Sequence, residues 1–309
     1  MKPSILLILL SLVTPFLINS ESNLYGKIWI TLESKETSKE TNSDMESNKS
    51  RVGITGDFDL KTDLNMIYQL EYEIDPVDGI SDESKGKTFK QRNSFLGFKG
   101  SYGSIFLGTY DTAFKRSQDN IDLFNDLAGD IKNILQGENR MNDSIVYMSP
   151  ISARGFSLVL NAIKRSEDLF QRNNSHSTSI SFIHKSKNLQ TSIALDSEVK
   201  GYDSRRFSLQ IPFPKTQIGF IYQDTKKLST GISENGYVLS LSRQFGDKGT
   251  LKFQTAKSDM KISSGKQNSF GFDYKLNRKT NIFFFYTDLL SKEDSIETAI
   301  SALGFEYDF

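Results

Sequence analysis

Apolar and polar side chains alternate along much of this chain, most regularly in its second half. Aromatic and aliphatic residues recur at every second position over 207–213, 237–241 and 270–276, with mostly small or polar residues between them. A period of two places one set of side chains on each face of a β-strand. The segment from Ile282 to Tyr286 is apolar at every position, so its two faces cannot be told apart from the sequence.

Sixteen strands of roughly 8–12 residues are predicted on this basis. They begin near Leu24, Ser50, Leu64, Gln91, Ser104, Asn142, Phe156, Ser177, Leu189, Arg206, Gln217, Tyr237, Thr250, Asn268, Asn281 and Thr298. The connections between them alternate in length. The long polar ones span about 34–49, 76–90, 111–139, 165–175, 199–204, 226–235, 260–266 and 290–297. The short ones lie near 58–62, 101–103, 149–154, 186–188, 212–215, 246–249 and 277–280.

This rhythm is typical of antiparallel hairpins that cross a membrane, with long external loops and tight turns on the periplasmic side. A soluble β-sandwich has no reason to segregate its connections by length. A closed barrel also leaves no unpaired strand edge in lipid. The predicted fold is therefore all-β: a 16-stranded antiparallel transmembrane β-barrel with an infolded constriction loop, and both of its ends periplasmic.

The two ends of the chain agree with this assignment. Residues 1–22 carry one early charge and then an apolar run too short for a spanning helix, which predicts a signal peptide followed by a barrel over 23–309. A retained N-terminal helical anchor is the alternative. The ending GFEYDF alternates apolar and polar residues up to Phe309, and it resembles the C-terminal signature of Gram-negative outer-membrane proteins.

Composition narrows the function classes. The chain has no cysteine, which excludes disulfides and thiolate sites, and its 38 basic residues balance 38 acidic ones, which argues against a nucleic-acid partner. Hydrophobic content is 37%, yet the chain holds 23 Phe and 12 Tyr, as a barrel with a wet interior and aromatic girdles requires. A soluble all-β protein can share this composition, so it does not decide the class by itself. No cofactor and no metal are predicted.

The longest connection, about 111–139, is the main functional candidate. Its apolar residues fall at helical spacing; they are Phe124, Leu127, Ala128, Ile131 and Leu135. Asp122, Asp126 and Asp130 recur every four residues on another face. Two interpretations remain open from spacing alone. The segment lies against the barrel wall and offers carboxylates to the lumen, or it is an external loop with a solvated acidic face.

Five motifs, in order, resemble those of the trimeric general-diffusion porins of Gram-negative outer membranes. They are LYGK (Leu24–Lys27), SRVGITG (Ser50–Gly56), RNSFLGFKG (Arg92–Gly100), DLFNDLAGD (Asp122–Asp130) and NRMNDSIVYMSP (Asn139–Pro150). The resemblance implies a homotrimer and a charged pore constriction. Its basic side is formed by Lys27, Arg51, Arg92 and Arg140, and its acidic side by Asp122 and Asp126. The family's acidic motif has Pro, Glu, Phe and a Gly pair where this chain has Asn125, Asp126, Leu127 and Ala128–Gly129.

Strand phase supports three of the basic positions independently. If the apolar neighbours of Lys27, Arg51 and Arg140 face lipid, these three side chains face the lumen. A cation on the lipid face at mid-membrane costs roughly 2–4 kcal/mol, which favours the lumen. Arg92 is less clear, because simple alternation would put Leu96 and Phe98 on its face.

The implied function is an outer-membrane porin: a water-filled channel for passive diffusion of small hydrophilic solutes and ions, bounded outside by lipid. The alternative is a substrate-selective channel for an anion, phosphate or sugar class; sugar-specific barrels use an aromatic ladder, and Trp29 is the only Trp. An adhesin or purely structural barrel would need no constriction. Catalysis is not expected, because His176 and His184 share a predicted lipid-facing side and lack a partner at motif spacing.

Overall fold

The computed structural model describes residues 20–37, 39–78, 89–164, 176–261, 265–290 and 297–309. Its strands are β1 Ser20–Thr37, β2 Thr41–Ser47, β3 Arg51–Lys61, β4 Leu64–Ile74, β5 Phe89–Gly100, β6 Gly103–Asp111, β7 Arg140–Met148, β8 Phe156–Lys164, β9 His176–Lys185, β10 Gln190–Val199, β11 Tyr202–Phe213, β12 Thr216–Lys227, β13 Ser233–Phe245, β14 Gly249–Ser258, β15 Lys266–Lys275, β16 Thr280–Leu290 and β17 Glu297–Asp308. A short helix, α1 (Ala113–Arg116), and a 3₁₀ turn, Ile131–Asn133, lie between β6 and β7.

These segments form one closed antiparallel sheet. Consecutive strands from β3 to β17 pair with one another, and β17 pairs with β1 from Lys27–Asp308 to Thr37–Thr298. β2 and β3 are two pieces of one strand, since both pair with β1: β3 along its first half and β2 along its second. The predicted sixteen-stranded barrel is confirmed.

The break between β2 and β3 is a local bulge at Asn48–Ser50. Lys49 has a positive φ of 57°, which turns the chain out of the ladder. Ser50 Oγ replaces the missing ladder partner by accepting from Trp29 N at 2.9 Å, and Asn48 N donates to Trp29 O at 2.8 Å. The pairing of the interrupted strand with β1 therefore continues without an orphaned backbone group at Trp29.

The outer face is apolar and aromatic, as the alternation predicted. Side chains exposed on that face include Tyr237, Leu239, Leu241, Phe270, Phe272, Tyr274, Leu303, Phe305 and Tyr307. The strand that could not be phased, β16, places Phe284 and Tyr286 outside and buries Phe283 and Phe285 inside. Its inner face is apolar because it packs against protein in the lumen and not against water.

Two of the predictions of long connections are wrong. Residues 34–49 are mostly a hairpin formed by the end of β1 and by β2, with a turn near Glu40. Residues 199–204 hold only a two-residue turn, Lys200–Gly201, with φ of 50° and 84°. Two positive φ values are the geometry of a type I′ hairpin, and Gly adopts it without strain. In both cases the sequence predicts a loop where largely polar strand ends form a hairpin.

Several predictions fall outside the described residues. The apolar core of the predicted signal peptide lies within 1–19, and parts of five predicted long connections lie at residue 38 and within 79–88, 165–175, 262–264 and 291–296. β1 begins at Ser20, and Ser20–Ser22 pair with Phe58–Gly56 of β3, so the sheet includes residues that the predicted boundary at 22 would remove. Neither helix among the described residues has the length and hydropathy to cross a membrane.

Candidate functional site: a charged lumen beside an infolded segment

Residues 112–139, the infolded segment, enter the barrel and cross its inner wall. The segment contains α1 and the 3₁₀ turn, joined by turns and bends. The helical spacing noted in the sequence does not produce a helix over 120–130. The chain instead turns repeatedly through this stretch, with short backbone bonds such as Leu127 N to Phe124 O at 2.9 Å.

The apolar side of the infolded segment packs on the wall, as one of the two sequence interpretations expected. One cluster joins Ile121, Ile131, Ile134 and Leu135 to Ile221, Val238, Ala256 and Met260. A second joins Phe124 and Leu127 to Phe283, Phe285, Ile300 and Ala302. The segment therefore covers the inner faces of β12–β14 and of β16–β17. Burying these side chains removes apolar surface from the wet lumen, worth roughly 25 cal/mol per Å².

Polar side chains of the wall hold the segment's backbone. These hydrogen bonds run from Ala113 N to Asn161 Oδ1 (2.8 Å), Phe114 N to Ser179 Oγ (2.9 Å), Ser192 Oγ to Ser117 O (2.7 Å), Gln217 Nε2 to Asn120 O (2.9 Å), Leu123 N to Gln254 Oε1 (2.9 Å) and Gln223 Nε2 to Gln136 O (2.8 Å). An irregular buried backbone needs such partners because it cannot satisfy its own N–H and C=O groups.

Gly129 packs closely against the wall. Gln254 Nε2 donates to Gly129 O at 3.0 Å, and Gln267 Nε2 donates to the same oxygen. A Cβ on Gly129 would lie 2.7 Å from Ser269 Oγ and 2.9 Å from Thr287 Oγ1. A larger residue in place of this glycine would therefore push Ser269 and Thr287 aside.

Arg206 of β11 forms hydrogen bonds with both ends of the infolded segment. Its side chain is fully buried. Its guanidinium donates to Phe114 O at 3.3 Å near the start of the segment and to Glu138 Oε1 at 2.7 Å near the end. It also lies 4.4 Å from the Phe114 ring centre and donates to Gln223 Oε1. Sequence reasoning did not single out this arginine, because the pair Arg205–Arg206 gives no signal of which partners either side chain meets.

Asp126 projects from the segment toward the opposite wall. Its φ of 64° is in the left-handed region, which Asp tolerates better than most residues. Its Oδ2 lies 3.5 Å from Arg51 Nη1 and 3.8 Å from Arg92 Nη2. Burial alone would raise the pKa of Asp126, but Arg92, Lys132 and Arg51 hold it below its usual range. This carboxylate therefore stays ionised at neutral pH.

Arg92 reaches the lumen through a β-bulge. Pairing passes from Leu70–Ser94 to Tyr72–Gln91, so Arg92 and Asn93 both lie opposite Glu71. The extra residue reverses the phase of the strand. Leu96 and Phe98 consequently stay on the outer face while Arg92 turns inward. Arg92 Nε donates to Glu71 Oε1 at 2.8 Å, and its Nη1 donates to Glu73 Oε2 at 3.2 Å.

Lys27 and Arg140 also lie at the lumen. Arg140 Nε contacts Asp111 Oδ1 at 3.1 Å and donates to Asn93 Oδ1 at 2.8 Å. Lys27 Nζ donates to Glu306 and lies 3.7 Å from Asp308 Oδ1, both on β17. The four basic residues selected from the sequence therefore lie near one another, but each is paired mainly with carboxylates of neighbouring strands or of Asp126.

Asp122 does not lie with these groups. Only 8% of it is exposed, and its carboxylate accepts hydrogen bonds from Phe124 N, Ile131 N and Gln254 Nε2 at 3.1–3.2 Å. Burial, with Asp130 nearby, raises the pKa of Asp122 well above its usual range. The four-residue spacing suggested one acidic face, but the segment's turns direct Asp122 into the packing and Asp126 into the lumen.

A cavity of about 510 Å³ lies between the infolded segment and the uncovered wall. Six basic and five acidic side chains line it: Lys27, Arg51, Arg92, Lys115, Arg116 and Arg140 against Glu71, Asp111, Asp119, Asp126 and Asp308. Sequence reasoning missed Glu71, Asp111, Lys115 and Arg116. Alternation through β4 could have found Glu71, since it shares a face with Glu73. The basic and acidic groups are interleaved, in contrast to the expected basic wall facing an acidic loop.

Known sequences resemble this chain over most of its length. A family model described as Gram-negative porin matches residues 10–294. The major outer membrane protein P.IB of Neisseria sicca is 28% identical over 170 residues, which cover 51% of this chain. The match spans 45% of that protein, somewhat less than half of its length.

Solved structures share the barrel. An anion-selective porin from Comamonas acidovorans superposes with a TM-score of 0.78 at 20% identity, covering 94% of this chain and 100% of that one. Salmonella typhi OmpF, solved with daunomycin, gives 0.73 at 16% identity over 93% and 97%. OmpT of Vibrio cholerae in its trimer form gives 0.67 at 13% identity over 94% and 99%. At these identities the likeness establishes the fold.

The attachment of the infolded segment depends on Arg206 in a way that can be measured. Arg206→Met leaves the Glu138 carboxylate buried without its cation, and breaking a buried pair costs about 3–5 kcal/mol. We expect faster hydrogen exchange of the amides of 112–139, read by mass spectrometry on the detergent-solubilised barrel. Adding Glu138→Gln should restore part of the protection, and Arg205→Met, on an exposed neighbour, should change nothing. Unchanged exchange in Arg206→Met would refute the role of this arginine.

Proposed function

Because this chain belongs to the Gram-negative porin family, we propose that it forms a water-filled channel across the outer membrane for passive diffusion of small hydrophilic solutes and ions. The observation that supports this most directly is the charged cavity beside Asp126, where the infolded segment reaches Arg51 and Arg92 across the lumen. A purely structural barrel would have no need of a segment that narrows its interior.

In this proposal the constriction is formed by Asp126 of the infolded segment and by Lys27, Arg51, Arg92 and Arg140 of the wall. Asp122, the sixth residue suggested by the sequence, is assigned to the packing of the segment because its carboxylate is buried in hydrogen bonds. Passage occurs beside the Asp126 contact, through the cavity lined by charges of both signs. Charged groups and pore width are the devices by which such channels select solutes.

The paired charges have a physical consequence for permeation. A polar solute that loses water in the gap can exchange hydrogen bonds with guanidinium and carboxylate groups fixed on the walls. An apolar solute must displace organised water without replacement and is disfavoured.

The proposed function needs no catalytic group. His176 and His184 lie on the outward face of β9 with Ile180 and Phe182, and His184 packs on Phe156 at 4.6 Å.

We propose a homotrimer assembled through the outer face around the closing seam. β1 and β17 are adjacent there, and Leu24, Leu32, Leu303 and Phe305 present exposed apolar surface. A Vibrio cholerae neighbour was solved in a trimer form. Chemical cross-linking in native membranes should give a trimer band that dissociates on heating in detergent. A monomer band alone after gentle extraction would remove this part of the proposal.

We also propose that residues 1–22 act as a signal peptide removed on export, leaving the barrel from residue 23. The support is the short apolar run in the sequence. Ser20–Ser22 pair with β3, so cleavage a few residues earlier would keep that pairing. N-terminal sequencing of the protein purified from outer membranes decides the boundary, and an intact Met1 would exclude cleavage.

The role of Asp126 predicts a change in ion selectivity. Asp126→Asn removes a carboxylate at the narrow passage, so permeability should shift toward anions. One charge about 8 Å from a passing ion in a wet pore is worth roughly 0.5–1 kcal/mol, which corresponds to roughly a two- to fivefold change in the permeability ratio. Reversal potentials in a planar bilayer under a salt gradient measure it. Asp122→Asn is the matched control and should leave the ratio nearly unchanged.

The reversal potentials of wild type and Asp126→Asn should also differ in a pH-dependent way. Because the pKa of Asp126 is held below its usual range, the carboxylate stays charged where an ordinary aspartate, with a pKa of about 3.9, becomes protonated. The difference between wild type and Asp126→Asn should therefore persist down to about pH 4. Equal reversal potentials at neutral pH, or a difference already lost at about pH 5, would contradict the assignment.

A further inference from the structure

Three aromatic rings pack together on the inner wall next to the charged cavity. Phe95 and Phe106 have ring centres 4.3 Å apart, and Tyr110 meets them edge-on at 5.4 Å and 4.8 Å. We call these three residues the aromatic shelf. They lie on β5 and β6, next to the start of the infolded segment, where Ala113 packs in the same apolar cluster as Phe106. Phe106 is buried, whereas Phe95 and Tyr110 are half-buried and present ring surface to the lumen.

A second cavity of about 350 Å³ opens over the shelf. Its volume falls within the ~300–1,000 Å³ typical of small-molecule pockets. Ile67 and Met148 extend the apolar surface, and Lys99 and Asp57 also line the cavity. Asp57 is already engaged, since its Oδ1 accepts from Asn65 Nδ2 at 2.6 Å. An apolar surface of this kind is unexpected in a lumen that otherwise presents charges to water.

Arg116 joins the shelf to the charged cavity. Its Nη1 donates to Tyr110 Oη at 2.9 Å, and its guanidinium lies 5.4 Å from the Tyr110 ring centre. It lines the charged cavity with Asp126 and Arg140. Within the described part of the chain Arg116 contacts no carboxylate, whereas Lys27, Arg51, Arg92, Lys115 and Arg140 each contact at least one. It is exposed and has donors free for a solute.

We propose that the aromatic shelf and Arg116 form a subsite for aromatic carboxylates in transit through the channel. This rests on the proposed function. The ring of the solute stacks on Phe95 and Tyr110, where offset or edge-on contacts between rings are favourable. Its carboxylate binds Arg116, whose planar fork suits a two-oxygen acceptor. An anion without a ring gains only the second contact, and a ring without an anion gains only the first.

The test uses the full-length protein in planar bilayers and compares benzoate with acetate. Single-channel recordings in potassium chloride give the apparent affinity of each anion from its block of the current. Benzoate should block at about tenfold lower concentration than acetate in wild type. Arg116→Gln should weaken the benzoate block about tenfold, the loss of one charge-assisted contact. Phe95→Leu, which keeps an apolar side chain but removes the ring, should weaken benzoate and leave acetate unchanged.

The control is Arg243→Gln, which removes an arginine lying 5.8 Å from the Phe245 ring, both exposed on β13. It should behave as wild type. Equal block by benzoate and acetate, or a benzoate block that survives Arg116→Gln, would overturn the subsite. Potassium chloride conductance is recorded first for each protein. A wild type that conducts without binding benzoate refutes the subsite alone, and one that does not conduct refutes the channel itself.

Discussion

The interior of this barrel depends on hydrogen bonds between polar side chains of its wall and an irregular stretch of backbone. Residues 112–139 contain only one short helix and one 3₁₀ turn, so most of their N–H and C=O groups need partners from elsewhere. Asn161, Ser179, Gln223 and Gln254 supply them from strands spread around the wall. Because these partners pair N–H and C=O groups of the segment, it can lie inside the barrel with a small free-energy cost of burying backbone.

The infolded segment divides the inner wall of the barrel into two parts with different side chains. Under the segment, the strands present amides, hydroxyls and apolar residues such as Ile221 and Phe285. Around the two cavities they present charges and the aromatic shelf. Arg92 shows how such a charge is kept there: it meets Glu71, Glu73 and Asp126 at once, which offsets the cost of its own burial. Selectivity in the proposed channel then follows from which groups remain free to meet a solute.

Much of the barrel architecture could be predicted from the sequence, because the side chains of a strand with one apolar face alternate with a period of two residues. The sixteen crossings, the outward aromatic residues and the inward positions of Lys27 and Arg51 follow from alternation. Arg92 could not be phased, because one extra residue in a bulge reverses the face and leaves no trace in composition. β16 could not be phased either, because its inner face packs on Phe124. The family resemblance assigns both Asp122 and Asp126 to the constriction, but the turns of the segment direct Asp122 into the packing.

The fold of the infolded segment is tested most directly by thiol accessibility. The chain has no cysteine, so single-cysteine variants give an unambiguous reading. Asn125 is exposed and lines the charged cavity, whereas Leu127, two residues later, is 4% exposed and packs on the wall. An anionic methanethiosulfonate reagent should react with the Asn125→Cys channel and lower its single-channel conductance, and it should leave the Leu127→Cys channel unchanged. Rapid modification of Leu127→Cys, or full conductance after Asn125→Cys is labelled, would show that the segment does not lie in the lumen as described.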